Sequence, residues 1–174
     1  MRIEVRSDPS LPALVHGQRI QHGVSGRIRT DEVLRAAGHE VHIKKLRAAE
    51  NGLEACVVPL ANGRYRFVCD DAASPDEPED IASLLDPRQF RVSFRLAHEL
   101  AHTVLGLMTF GARPGRSHGP SGAEGRCDMF AALFLVDPAE ARQAVNTGEL
   151  VVRRLANLLD VPTRLVQTAA RSVA

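Results

Sequence analysis

Apolar and polar positions follow more than one rhythm along this chain, and the clearest is helical. Between Pro87 and Leu105 there is no internal glycine and no further proline. Phe90, Phe94, Ala97, Ala101, Val104 and Leu105 recur every three or four residues, which sets them on one face of a helix. Asp86-Pro87 is a good start for that helix, an N-cap followed by proline at the first helical position, and Gly106 is a natural stop. A second run, Ala123 to Val136, is apolar nearly all round through Cys127, Met129, Phe130, Ala131, Leu133 and Phe134, the mark of a buried helix. Asp137, Pro138 and Glu140 open another helix that ends near Gly148. The tail carries a pair, Glu149 to Leu159 and Pro162 to Ser172, joined tightly at Asp160-Val161 in helix-turn-helix outline.

Upstream the rhythm shortens. Thr30 as N-cap, Asp31 and Glu32 in the first turn, Val33, Leu34 and Ala37 on one face and Gly38 as terminator predict a short helix. His39 to Leu46 reads as a strand through Val41 and Ile43. Leu53 to Leu60 and Arg64 to Asp70 read as a hairpin turning at Asn62-Gly63. A two-residue turn sets Cys56 opposite Cys69 and puts Pro59 in a hydrogen-bonded pair where its missing N–H is felt, so Pro59 marks an edge or bulge and the thiols are expected free. In residues 1 to 26 a short strand at Ile3 to Val5 is followed by Pro9, Pro12, Gly17, Gly23 and Gly26, which break up any longer element, and Met108 to Gly122 reads as a loop rich in Gly, Pro and Arg. The expected fold is one α+β domain over 1–174. A small, mostly antiparallel sheet packs on a helical core, with a poorly defined segment over 1–26 and a helix-turn-helix-like pair over 147–174.

Composition narrows the function classes. The formal net charge is only +1 over 174 residues, so no global field marks a nucleic-acid or membrane binder. The charge is uneven, however. Residues 70–87 hold seven acids and no Lys or Arg, while residues 88–127 hold six Arg and two Glu; the acidic run is expected to be a solvated loop. Met1 to Val5 is followed by charge and proline instead of an apolar signal segment, and the longest apolar run, Met129 to Val136, is too short to span a bilayer. Three cysteines without the spacing of a thiolate metal site agree with a reducing compartment. A cytoplasmic location is therefore expected.

The chemistry lies in HELAH, His98 to His102. The two histidines stand one turn apart on one helical face and can converge on a single ion, while Glu99 is offset by about a quarter turn, suited to reach water on that ion. Catalytic zinc usually takes three protein ligands and leaves one position for water. Glu124 is the best third ligand, across a loop long enough to bring a second helix alongside the first. Asp128, one turn further on, can accept the other ring N–H of a ligating histidine and set its tautomer. His16 and His22 have no carboxylate or Cys at ligand spacing and read as surface residues; His39 and His42 point to opposite faces of their strand and cannot share an ion. His118, Arg116 and Tyr65 are candidates by type for stabilising an oxyanion.

On LAHELAH (Leu96 to His102) and E-x-x-C-D-x-F-A-A (Glu124 to Ala132), with strands before the first motif and paired helices after the second, the chain resembles the ImmA/IrrE family of zinc metallo-endopeptidases. The resemblance runs from about Thr30 onward. It implies a gluzincin-like fold, Zn2+ held by His98, His102 and Glu124, and Glu99 as catalytic acid and base. It also implies cleavage of a partner protein, commonly a helix-turn-helix repressor, in stress or mobile-element control. The family's usual Leu-Leu-Met-Pro ending is replaced here by Phe134-Leu135-Val136-Asp137-Pro138. Two other readings use the same scaffold: a repressor- or DNA-binding regulator without turnover, and the toxin of a toxin–antitoxin module. Against DNA, the last helix offers only Arg164 and Arg171 as phosphate contacts, so a packing role is expected.

Overall fold

The computed structural model describes residues 10–44, 54–73, 77–107 and 122–172. It is an α+β fold of helices around a three-stranded sheet, with its buried apolar side chains in one continuous cluster. Its central element is α4 (Pro87–Val104), which starts where expected: Asp86 caps it by accepting the Gln89 N–H at 2.9 Å. From Val92 to Ala97 every residue is buried. Gly106, at φ 65°, turns the chain out, and the Leu107 N–H returns to the His102 carbonyl.

Alongside α4 lies α5 (Ala123–Leu135), buried from Met129 to Leu135 as its composition required. Phe130 and Phe134 stack along it, ring centroids 6.0 Å apart. Against α5 packs a helix that the glycines and prolines of the N-terminal segment concealed, α1 (Leu11–Gln21). Its proline, Pro12, sits in the first turn, where no N–H is needed, and Gly17 faces open space, so neither breaks it. Leu11, Val15 and Arg19 form its buried face, and the Arg19 guanidinium donates to the Phe134 carbonyl near the end of α5, where the helix dipole favours a cation. His22, expected at the surface, is partly buried edge-on to Phe134. The possible strand at Ile3 to Val5 lies outside the described residues.

The sheet differs from expectation in topology and in register. Strands β1 (Glu40–Ile43), β2 (Ala55–Pro59) and β3 (Tyr65–Cys69) lie in the order β1-β3-β2, with β3 parallel to β1 and antiparallel to β2. The sheet is therefore mixed, not mostly antiparallel. The hairpin loop is three residues, Ala61–Gly63, with Asn62 and Gly63 both at positive φ. That one extra residue shifts the pairing, so Cys56 faces Val68, and Cys69 faces Ala55. Neighbouring positions on a strand point to opposite faces, which explains why Cys56 and Cys69 remain free thiols. Leu60 and Arg64 form the closing hydrogen-bonded pair, so Pro59 opposite Tyr65 falls in a non-hydrogen-bonded pair of an edge strand, where its missing N–H costs nothing. Phe67 and Cys69 lie on the sheet's inner face, fully buried.

α2 (Thr30–Ala36) begins at Thr30, not after it: the preceding Arg29 is the N-cap and makes no side-chain cap bond. It is tied to α4 instead. Buried Asp31 accepts from Gln89 and from Arg35, and Ser93 donates to the Ile28 carbonyl. The described residues of the acidic stretch, 70–73 and 77–87, are more than a solvated loop. Arg88, Arg91 and Arg95 on α4 meet it as Arg88–Asp71 at 2.6 Å, Arg91–Glu77 at 2.9 Å and Arg95 on the Asp70 and Ala72 carbonyls. Within it, α3 (Glu79–Ala82) buries Ile81. The opposite charge runs seen along the chain are thus partners.

α6 (Pro138–Thr147) is capped by Asp137, which accepts from the Ala139 and Glu140 N–H groups. α7 (Glu149–Leu159) and α8 (Thr163–Arg171) complete the chain, and α8 buries Leu165, Val166 and Ala169 while packing on α6, α7 and α5. Arg164 lies 3.1 Å from Asp80. The α7–α8 turn is pinned to the start of α4: buried Asp160, in the left-handed region at φ 54°, accepts from the Leu85 and Asp86 N–H groups and from Arg27. Asp160→Ala leaves those donors without their acceptor and places Ala at positive φ. With about 1 to 3 kcal/mol for each unsatisfied buried group, a loss of about 3 kcal/mol in urea unfolding is expected. A loss under about 1 kcal/mol would mean that water replaces the carboxylate at no cost. Among the described residues no helix is long and apolar enough to cross a membrane.

Candidate metal centre

Two helices build the site. α4 presents His98, Glu99 and His102, and α5 faces it with Glu124, Cys127 and Asp128. α4 packs against both the sheet and α5. His98 Nε2 lies 3.0 Å from Glu124 Oε2 and 3.2 Å from His102 Nε2, and His102 Nε2 lies 3.7 Å from Glu124 Oε1. Nitrogen and oxygen ligands about 2.0 to 2.1 Å from a tetrahedral zinc are roughly 3.3 to 3.4 Å from one another. The three separations bracket that value, so the donor set fits a zinc-class ion with small side-chain adjustments.

His98 Nδ1 is 2.9 Å from Asp128 Oδ1. An N–H donated there leaves Nε2 of the neutral ring as a lone pair aimed at the Glu124 carboxylate and His102 Nε2. Two nitrogens and a carboxylate oxygen so close require a cation between them, a proton or a metal. Burial works against a charged ring, yet hydrogen bonds to Asp128 and Glu124, helped by the charges of Asp128 and Glu99, push His98 up to about 10. An entering ion has to displace that proton. Asp128→Ala removes the group that fixes the ring, and zinc affinity is expected to fall by about 10- to 100-fold with binding stoichiometry unchanged. Titration calorimetry reads both; an unchanged affinity would show that Asp128 has no part in holding the ring.

Glu99 is differently placed. Among the described residues its partly buried carboxylate has no hydrogen bond or ion pair. Burial, opposed by His98 and reinforced by Glu124, pushes it up to about 7. A carboxylate poised there, beside a metal-binding face and bound to nothing else, is suited to take and return a proton near neutral pH.

Cys127 belongs to this group although spacing did not single it out. Its Sγ and the donor atoms of His98 and His102 all lie within 4.8 Å of one another. The readable signal was its position three residues after Glu124, on the same helical face. The oxyanion candidates fare less well: Arg116 and His118 lie outside the described residues, and the Tyr65 ring rests against His39 and Phe67. His42 is exposed beside Glu40, and His16 is exposed on α1. No model of a known protein family matches the chain, and no curated protein matches it either.

Proposed function

We propose that this chain is a zinc-dependent endopeptidase on a zincin-like core, cutting a partner protein of the helix-turn-helix repressor class. The observation that carries the reading is the convergence of His98, His102 and Glu124 from two helices at ligand-to-ligand spacing, with Glu99 unengaged beside them. The resemblance of LAHELAH and the Glu124 to Ala132 motif to the ImmA/IrrE endopeptidases points the same way and supplies the substrate class.

In this mechanism His98, His102 and Glu124 would hold the ion, and Asp128, 2.9 Å from His98 Nδ1, keeps His98 in the tautomer that offers Nε2. The chemistry a zinc-class ion would supply there is a lowered pKa for a bound water and polarisation of the scissile carbonyl. Glu99 accepts the proton of the attacking water and delivers it to the leaving amine. Burial of α4 and α5 holds these groups in register, so that little reorganisation is needed as charge develops. The test is to incubate the zinc-loaded chain with candidate repressors of the helix-turn-helix class. Discrete fragments that disappear on chelation are expected. A complex that forms and leaves the partner intact would favour sequestration without turnover.

A further inference from the structure

We infer that Cys127 is a fourth protein ligand of the ion, closing in the resting chain the coordination position that a hydrolytic site reserves for water. The inference rests on the zinc site proposed above. Cys127 is fully buried, and among the described residues its thiol has no hydrogen-bond partner. Its sulfur is within 4.8 Å of both imidazole donor atoms. In a tetrahedral zinc site with bonds of about 2.05 Å to nitrogen and 2.3 Å to sulfur, that separation is roughly 3.5 Å. The sulfur therefore lies at most about an ångström beyond the ligand-to-ligand separation of such a site.

Glu124 and Cys127 are three residues apart on α5, so both lie on the helical face that meets His98 and His102 of α4. Four protein ligands are the signature of a closed site, three plus water of a hydrolytic one. Ligation by Cys127 breaks its S–H bond and the bond from zinc to water, and forms a zinc–sulfur bond; the water leaves and the proton passes to solvent. Turnover requires the reverse, so substrate engagement has to draw the sulfur away before water enters.

Cobalt(II) distinguishes the possibilities by spectrum. The full chain loaded with one equivalent of cobalt should show a thiolate-to-cobalt charge-transfer band in the near ultraviolet, kept in Cys56→Ser and lost in Cys127→Ala. Zinc competition should show Cys127→Ala weakened by at least about tenfold, the lower bound even for a residue that only orients a ligand. Should Cys127→Ala fail to fold, the double variant Cys56→Ser/Cys69→Ala decides, because its band then has only Cys127 as source. Cobalt bound through His98 and His102 with no thiolate band overturns the inference and leaves the zinc site standing. If the chain takes up no cobalt, both fall together.

Discussion

Glu99→Gln is expected to abolish peptide cleavage while leaving the ion in place. The substitution keeps the size and shape of the side chain and removes its basicity. Loss of a positioned general base typically costs 10² to 10⁴ in rate, roughly 3 to 5 kcal/mol of transition-state stabilisation. The effect on metal content should be small, because the donor atoms that converge are those of His98, His102 and Glu124, with the Cys127 sulfur near the two imidazoles, and the Glu99 carboxylate is bonded to none of them. Partner affinity should be retained as well. Undiminished cleavage by the Gln variant would remove Glu99 from the mechanism, whereas equal loss of metal and activity would make it a ligand. An unstable variant would be visible separately, since a residue with no hydrogen bond in the fold has little structural role to lose.

The local signals in the chain proved reliable where one residue type has one physical use. Asp86-Pro87 and Asp137-Pro138 were readable as helix starts because both supply a cap acceptor and a preset φ, and both cap as expected. The all-round apolar run of α5 implied burial, and α5 is buried. Residues with two uses were misread. Pro12 breaks a helix interior, yet in a first turn it is a helix former, and Gly17 is tolerated because its face of α1 meets nothing. Asn62-Gly63 serves a two-residue turn and a three-residue loop equally well, since both need positive φ, and the one-residue difference decided which side of the sheet Cys56 occupies. Parallel pairing of β1 with β3 lay beyond any local pattern, because nothing in residues 40–43 encodes a partner beyond the intervening β2.

For the site, helical periodicity was enough to place His98, Glu99 and His102, because 3.6 residues per turn converts spacing directly into direction. Pairing with α5 was legible only as a reason for acids to enter a buried helix, and Glu124 and Asp128 do face the histidines at 3.0 and 2.9 Å. Cys127 carries no sequence signal of a thiolate site, which is usually a pair of cysteines, whereas here a single sulfur lies near imidazoles from another helix. The acidic run at residues 70–87 carried a similar lesson: its composition suggested solvent, but Arg88, Arg91 and Arg95 recur on the α4 face that meets it.

Everything proposed for this chain depends on an ion held between α4 and α5, so metal content is the most direct measurement. His98→Ala and His102→Ala each delete an imidazole whose Nε2 lies within 3.2 Å of the other's, and with it one of the nitrogen ligands on which the site's affinity depends. Elemental analysis of the purified wild-type chain should find about one zinc-class ion per chain, near-complete loss in either Ala variant, and retention in Glu99→Gln as the folded control. Full metal content in both Ala variants would contradict the account.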